Sequence, residues 1–323
     1  MPLLNAGAMI RELRQSHGLT QEKLAEGICS RETVVKLENG ERKADWFIIR
    51  NLFMRLGIDP DTYYNELASE NDIYILKKRD ECAAYFNTGK WEKLKSAIEN
   101  LERDKRFLQG GRKGRGYALL IRYKAHLYAS DPYKNFQKAL GYYLETLKIT
   151  RPNFDIDEIP NYLLSYDETI ILNCLANAFS YSGEDGGDVK ALEIWQNMRI
   201  NYEKSQLTHI RGKNENYLLI LGNIAKQLLL AERFEACLQI LEKSLPMAFE
   251  KANARLILTN LWRKAWCLLN LDRKAEGDEL LKKYFMLAYV LEGKTRVTDD
   301  EINQCKKDYE DKFNGQLDLS IAW

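Results

Sequence analysis

The chain has 323 residues, of which 45% are hydrophobic and 29% are charged, and its formal net charge at pH 7 is +1. This length is too great for one small core and predicts two domains or an array of repeats. A net charge near zero excludes a protein that is drawn to nucleic acid by a global positive field. Any binding to nucleic acid must therefore depend on a local patch.

The six cysteines are spread along the chain without a CxxC pair or another metal-binding spacing. They are Cys29, Cys82, Cys174, Cys237, Cys267 and Cys305. Most fall on apolar helical faces, so we expect small buried thiols in a reducing cytoplasm. We expect neither a signal peptide nor a transmembrane segment, because the apolar runs are too short. With six prolines and no strand pattern, the sequence predicts an all-α protein.

The chain begins with a predicted helix over residues 5–17, which Gly18 ends. Residues 19–40, LTQEKLAEGICSRETVVKLENG, predict two short helices joined by a tight turn. Thr20 and Ser30 are the expected N-caps of these two helices. Helices this short do not persist alone in water, so the neighbouring helices must stabilise them.

The second short helix buries Val34 and Leu37 and leaves its polar side chains on the opposite face, near its N-terminus. These outward-facing residues are Arg31, Glu32, Thr33 and Lys36. Arginine can pair with guanine through two hydrogen bonds, and glutamate can accept a hydrogen bond from cytosine N4. A short helix with these residues at its leading end suits the major groove of DNA.

A charged loop and two further helices complete the predicted N-terminal domain, residues 1–69. In the loop, Arg42 and Lys43 are expected to lie along the phosphate backbone. The fourth helix follows Asp45, and a short fifth helix follows Asp59-Pro60. The apolar stripe of the fourth helix is Trp46, Ile49, Leu52, Phe53 and Leu56.

Residues 9–58 resemble the five-helix, repressor-type helix-turn-helix family. The resemblance implies a phosphate contact by Gln21 and a turn at Glu38-Asn39-Gly40 after the reading helix. The DNA-binding residues that we predict are Gln21, Ser30, Arg31, Glu32, Thr33, Lys36, Asn39, Arg42 and Lys43. Ile28 departs from the family, which usually has glycine there, and the acidic Glu32 leaves the base preference open. The alternative is a small helical bundle without a role in DNA binding.

From about residue 71 the chain changes to long amphipathic helices in pairs. The predicted pairs are 73–87 with 91–105, 116–129 with 135–149, 166–181 with 189–203, 214–231 with 234–248, and 254–270 with 274–291. A last helix at 299–313 closes the array, so we predict a repeat domain over residues 70–323.

The turn inside most of these pairs is followed by a similar opening, in which an aromatic or β-branched residue is expected to fill the gap after the turn and small residues let the paired helices approach. The examples are Trp91-Glu92-Lys93-Leu94, Phe136-Gln137-Lys138-Ala139, Val189-Lys190-Ala191-Leu192 and Phe234-Glu235-Ala236-Cys237. This pattern is typical of tetratricopeptide repeats, although the spacing of roughly 40–50 residues exceeds the consensus of about 34. HEAT-like or unrelated helical pairs are the alternative.

The first helix of each pair would line the concave face of a superhelix. An asparagine there offers a donor and an acceptor together, which suits the backbone of an extended peptide. The candidate peptide-binding residues are Asn173, Asn177, Asn216, Asn223, Lys226 and Asn260. For any single asparagine, a solvated or locally bonded side chain is the alternative.

Taken together, the head and the repeats resemble the cytoplasmic peptide-sensing regulators of the Rgg, PlcR and PrgX type. The resemblance implies a right-handed superhelix of repeats, a homodimer joined through it, and a short signalling peptide in its groove. It also implies double-stranded DNA as the partner of the head and transcriptional control as the output. A repeat-based interaction scaffold with a DNA-tethering head and no peptide ligand is the alternative.

Other motifs do not indicate chemistry. The basic loop at residues 110–116 lacks the Gly-Lys-Ser/Thr ending of a phosphate-binding loop. His17, His126 and His209 are far apart in sequence and accompany no metal-ligand or nucleophile pattern. We therefore expect no metal, no cofactor and no enzymatic activity.

Overall fold

A computed structural model describes residues 6–41, 46–60, 69–109, 111, 114–204, 213–292, 299–313 and 316–317. For residues 213–215, 291–292 and 299–301 it describes the backbone alone. All regular secondary structure in these ranges is helical, which confirms the predicted all-α class.

Four helices form the head, which we define as residues 6–60. They are α1 (Ala6–Ser16), α2 (Gln21–Ala25), α3 (Arg31–Glu38) and α4 (Trp46–Arg55). Both predicted N-caps are confirmed, since the hydroxyl oxygens of Thr20 and Ser30 accept the N–H of Lys23 and Thr33 at 3.1 and 3.2 Å. The predicted loop contacts Arg42 and Lys43 and most of the predicted fifth helix lie outside the described residues.

Long helices follow the head in the predicted pairs. They are α5 (Glu70–Asn87) with α6 (Trp91–Leu101), α7 (Arg115–Ala129) with α8 (Phe136–Thr150), α9 (Tyr166–Tyr181) with α10 (Gly187–Lys204), α11 (Lys213–Leu230) with α12 (Phe234–Glu250), α13 (Ala254–Asn270) with α14 (Lys274–Glu292), and finally α15 (Asp299–Phe313). A short 3₁₀ turn, Ile159–Asn161, precedes α9. The predicted ranges 166–181, 254–270 and 299–313 coincide with α9, α13 and α15.

Helix α6 ends at Leu101, four residues before the predicted end. The Asp104 carboxylate accepts the N–H of Phe107 at 3.0 Å and also accepts the hydroxyl of Tyr74. These bonds stabilise a compact turn that buries the Phe107 ring, so the chain leaves the helix early.

The small residues of the repeat openings behave as the pattern predicts, because Ala139, Ala191 and Cys237 are fully buried. One detail of the prediction is wrong. Val189 does not fill the gap after its turn but is 72% exposed, since α10 already begins at Gly187. A Cβ atom on Gly187 would lie 2.5 Å from the Phe179 carbonyl oxygen, so this glycine allows the two helices to approach.

The chain divides into two compact units, residues 1–216 and residues 217–323. In the first unit, apolar side chains of the head, such as Ile10 and Phe53, share one buried cluster with Ile75, Leu94 and Leu120 of the following helices. The second unit has its own core around α13, α14 and α15. The predicted domain boundary between residues 69 and 70 stays a prediction. In the structure, residues on both sides of it build one cluster.

Candidate functional site

The candidate reading helix is α3, whose two faces differ sharply. Val34 and Leu37 are buried against the head. Arg31 and Glu32 are exposed on the first turn, and the predicted contacts Thr33 and Lys36 are half-buried beside them. The Lys36 ammonium lies 2.6 Å from a Glu32 carboxylate oxygen, an ion pair one turn apart along the helix surface. Arg31 and this ion pair therefore form the outward surface of α3.

A buried carboxylate fixes the orientation of α3 within the head. Glu38 is only 5% exposed. It accepts hydrogen bonds from Arg14 Nε at 2.6 Å, Arg14 Nη2 at 3.0 Å and Gln21 Nε2 at 2.9 Å. Burial alone would raise the pKa of Glu38, but the hydrogen bonds from Arg14 and Gln21 bring it below its ordinary value. Glu38 is thus ionised at neutral pH and connects α1, α2 and α3.

This network places the predicted phosphate contact Gln21 partly inside the protein, because its side-chain amide donates a hydrogen bond to Glu38. Asn39, another predicted contact, accepts from Arg11 Nη2 at 2.6 Å and donates to Glu41 Oε1 at 2.9 Å. Ser30 is exposed and caps α3. Both ends of α3 therefore have fixed polar side chains.

The turn before α3 explains how the chain manages without the glycine that the family usually has at the position of Ile28. Gly27 adopts the left-handed conformation, with φ +67°. The half-buried Ile28 packs against the apolar cluster of the first unit. The residue that supplies the turn has moved by one position, so Ile28 costs no backbone strain.

In the first unit, the predicted peptide-binding asparagines are all half-buried and all have internal hydrogen bonds. Asn173 Oδ1 accepts the indole N–H of Trp195 at 2.9 Å. Asn177 Nδ2 donates to the carbonyl oxygen of Asn173 at 2.8 Å, and Asn216 Nδ2 donates to Thr169 Oγ1 at 3.1 Å. Asn173 thus has a packing role beside any contact with a ligand.

In the second unit, Asn223 and Lys226 are half-buried on α11. Asn260 is fully buried, and its Nδ2 donates to Ser244 Oγ at 2.8 Å. This bond joins α13 to α12 within the core. The structure therefore gives Asn260 a packing role and does not support it as a peptide contact.

The sequence did not predict a polar connection between the head and the segment before α9. Arg55, which is buried, donates to the carbonyl oxygens of Leu24 and Glu26 at 2.8 and 2.7 Å, and to that of Leu163 at 2.9 Å. Burial lowers the pKa of Arg55 to about 10, which leaves it charged at neutral pH. The one sequence signal was an arginine in the last turn of an apolar helix.

In the described part of the chain, no group of three or more His, Cys, Asp or Glu side chains could hold a metal ion. Among the described helices, none combines the length and the apolar composition that crossing a membrane requires.

Comparison with known proteins defines the class. Residues 10–63 match the family described as helix-turn-helix, so the predicted helix-turn-helix domain is confirmed. No curated protein is similar enough in sequence to count as a relative. Residues 10–63 are thus a helix-turn-helix domain, and pairs of long helices follow it.

Among solved structures, the chain is similar to Bacillus thuringiensis PlcR, which was crystallised in complex with the peptide PapR7 and DNA. The TM-score is 0.53 at 19% identity, and the match covers 91% of this chain and 99% of that one. At this identity the likeness shows a shared fold.

Two other solved structures match at lower scores. The competence regulator ComR from Streptococcus vestibularis gives a TM-score of 0.47 at 14% identity, covering 95% of this chain and 98% of that one. The pheromone receptor Rgg2 from Streptococcus dysgalactiae gives 0.45 at 14% identity, covering 94% and 99%. Both of these TM-scores lie below 0.5, so the shared fold is shown by the match to PlcR.

Proposed function

We propose that this protein is a DNA-binding transcriptional regulator whose DNA binding responds to a short signalling peptide. It acts in the cytoplasm as a homodimer joined through its repeats, and it is not an enzyme. The observation that carries the proposal is the exposed first turn of α3, on which Arg31 and Glu32 face outward from a helix-turn-helix domain.

Each polar group on α3 has a role that follows from its chemistry. Arg31 pairs with the O6 and N7 atoms of a guanine, and Glu32 accepts from a cytosine amino group. In the absence of DNA, the ion pair with Lys36 holds the Glu32 side chain along the helix surface. On binding, the cytosine amino group takes the place of Lys36 as the partner of Glu32. Phosphate contacts position the helix without reading sequence. They fall to Gln21, Ser30, Thr33, Asn39, Arg42 and Lys43.

Two heads in a symmetric dimer read two half-sites about 34 Å apart, or a multiple of that distance. The PlcR structure contains both a peptide and DNA, and the shared fold supports a similar pair of ligands here. Within the first unit, the predicted peptide contacts are Asn173, Asn177 and Asn216. Asn223 and Lys226 are the predicted contacts within the second unit. The peptide changes DNA binding only to the extent that it prefers one arrangement of the heads.

The test is selection of binding sites from random duplex DNA, followed by affinity measurements with the full chain. Arg31→Ala should cost about 1–3 kcal/mol on the selected site and relax the preference at one base pair. Lys105→Ala, which removes one exposed positive charge far from α3 in sequence, is the control. If Arg31→Ala selects the same sites with the same preference, α3 is not the reading helix.

A further inference from the structure

The first compact unit contains a cavity of about 380 Å³ between the head and the helices that follow it. The head contributes the turn after α2 and one face of α4, and the other walls come from α5, α7, α8 and α9. Sites for small organic ligands commonly enclose ~300–1,000 Å³. The cavity is therefore large enough for a small ligand.

Two arginines from different parts of the chain converge on one carboxylate in this cavity. Arg50 of α4 and Arg122 of α7 each place an Nη1 atom 3.9 Å from the same oxygen, Asp167 Oδ1. Close hydrogen bonds between a guanidinium and a carboxylate are shorter, about 2.7–2.9 Å. One carboxylate is thus shared between two guanidinium groups without a close bond to either, and this wall of the cavity carries more positive than negative charge.

The other acidic side chains that line the described part of the cavity have arginine partners of their own. Asp80 lies 2.7 Å from Arg79, and Glu168 lies 3.2 Å from Arg151. Among the described acidic side chains of the cavity, Asp167 is therefore the one that faces Arg50 and Arg122. One negative charge is set against two positive charges there.

A buried acceptor lies beside the two arginines. Asn51 lines the cavity and is 5% exposed. Its Nδ2 donates to the Phe47 carbonyl oxygen at 3.0 Å and to Asp167 Oδ2 at 3.2 Å, but its Oδ1 atom is buried and has no hydrogen-bond partner. A buried polar atom in this state is costly, so an N–H donor inside the cavity would satisfy it.

We propose that this cavity binds a small organic acid in which a carboxylate stands next to an N–H donor. The carboxylate bridges Arg50 and Arg122, and the N–H donates to Asn51 Oδ1. The C-terminal residue of a peptide and an N-acylated amino acid share this chemistry. Phe47, Leu119 and Ile171 also line the cavity, so the side chain of that residue is apolar.

The site goes beyond the proposed function, because none of the predicted peptide-binding residues Asn173, Asn177 and Asn216 lines this cavity. A ligand in this cavity would also connect the head to the helices that follow it within the first unit. Arg50 and Asn51 belong to the head, whereas Arg122 belongs to α7. A ligand held by all three adds contacts between the head and the helices beneath it, and stabilises that arrangement by mass action.

The experiment is a thermal shift screen of the full chain, without DNA, against the twenty N-acetyl amino acids and their twenty C-terminal amides. We expect at least one acid with an apolar side chain to raise the Tm. The matching amide should bind at least about tenfold more weakly, because it cannot form charge-assisted bonds to the arginines. This comparison needs no variant, so it holds even where a substitution prevents folding.

Two variants then locate the site. Arg50→Gln should remove the shift caused by the acid, whereas Arg103→Gln, which removes an exposed arginine elsewhere, should keep it. An N-acetylated tripeptide ending in the same residue separates the two sources. If it binds as well as the single residue, the ligand is a peptide terminus, and if it is excluded, the ligand is a free acylated amino acid. If no acid shifts the Tm, or if acid and amide shift it equally, or if Arg50→Gln keeps the shift, the proposal is wrong.

Discussion

Arg151 Nη1 lies 3.1 Å from Glu26 Oε1, and this ion pair joins the turn after α2 to the residue that follows α8. The same Glu26 oxygen accepts the backbone N–H of Leu163 at 2.8 Å, and Arg151 also pairs with Glu168. The head is therefore held on the following helices by partly buried polar bonds as well as by the shared apolar cluster. Such bonds depend on geometry, so single substitutions can weaken this contact without disturbing α3.

Glu26→Ala should lower the free energy of unfolding by about 1–3 kcal/mol, because it leaves the Leu163 N–H and part of the Arg151 guanidinium without a partner. Denaturant unfolding of the full chain measures the change. Glu32→Ala is the matched control, since Glu32 is 73% exposed and its ion pair with Lys36 is worth little. Equal losses in the two variants would contradict the structural role of Glu26.

The same contact surface makes Gly27 sensitive to substitution. At φ +67°, any side chain is strained, and a Cβ atom would lie 2.2 Å from Glu168 Oε2 and 2.7 Å from Arg151 Nη2. Glu168 cannot easily move, because its carboxylate also accepts the N–H of Ser165 in the cap of α9. Gly27→Ala should therefore combine backbone strain with overpacking.

Gly18→Ala is the matched control for this prediction. Gly18 also has a left-handed backbone, at φ +64°, but a Cβ atom there meets nothing within 4 Å. We expect Gly18→Ala to cost about 1–2 kcal/mol for the backbone and Gly27→Ala to cost a further ~1–3 kcal/mol for the crowding. Thermal or denaturant unfolding shows which variant loses more stability. Similar losses for Gly18→Ala and Gly27→Ala would contradict the close packing of Gly27 against Glu168 and Arg151.

The sequence predicted those features that depend on neighbours in the chain. Ser30, Val34 and Leu37 lie within one short helix, and their caps and faces follow from local spacing. Contacts between distant segments have no such signal. Nothing near Glu26 in sequence indicates Arg151 or Leu163, which is why the polar connection between head and repeats was missed.

The predicted asparagines are a second case in which contacts between distant segments could not be predicted from the sequence. Asn173 and Asn260 occupy similar places in the first helices of their pairs, and the sequence treats them alike. Their environments differ because Asn260 faces Ser244 on α12 in the core, whereas Asn173 faces the edge of Trp195. Whether a polar side chain on an apolar helix faces a partner or a groove depends on the packing of the next helix.

Asn173 and Asn177 should differ in how much each contributes to the stability of the fold. Asn173→Ala should destabilise the fold by about 1–3 kcal/mol, because the indole N–H of Trp195, a residue 1% exposed, loses its acceptor. Asn177→Ala removes only a bond within its own helix and should change stability by less than about 0.5 kcal/mol. Denaturant unfolding measures both.

A peptide role for Asn177 predicts that Asn177→Ala loses the Tm increase given by short hydrophobic peptides while the fold stays intact. Asn216→Ala tests the neighbouring predicted contact in the same assay. Retention of the full peptide-induced shift in Asn177→Ala would remove this residue from the proposed site.

His126 gives the stability of the protein a pH dependence. Burial, together with the charge of Arg122, lowers the pKa of His126 to about 3. The ring accepts from Arg122 Nε through Nε2 at 3.3 Å, so its proton is on Nδ1, which lies 2.7 Å from the Tyr143 hydroxyl. The rings of Phe86 and Tyr123 cover the imidazole. These neighbours suit the neutral form.

The unfolded chain binds a proton at His126 below its ordinary pKa of about 6.5, whereas the folded chain does not until about pH 3. More protons are bound by the unfolded state in this window, so the free energy of unfolding falls as pH falls through it. Between pH 7.5 and 5.5 the loss should be about 1.4 kcal/mol, because the slope rises toward ~1.4 kcal/mol per pH unit as the pH falls through 6.5. Ordinary carboxyl groups titrate at lower pH and contribute little there.

Urea unfolding of the wild type and of His126→Gln at the two pH values measures this loss. Glutamine can still accept from Arg122 and donate to Tyr143, but it cannot bind a proton, so the variant should show a flatter profile between pH 7.5 and 5.5. A variant that loses stability as steeply as the wild type would show that another group binds the proton. Above pH 7.5 the His126 imidazole is neutral in both the folded and the unfolded chain. The stability profiles of the wild type and the variant should therefore run parallel there, separated by a constant offset.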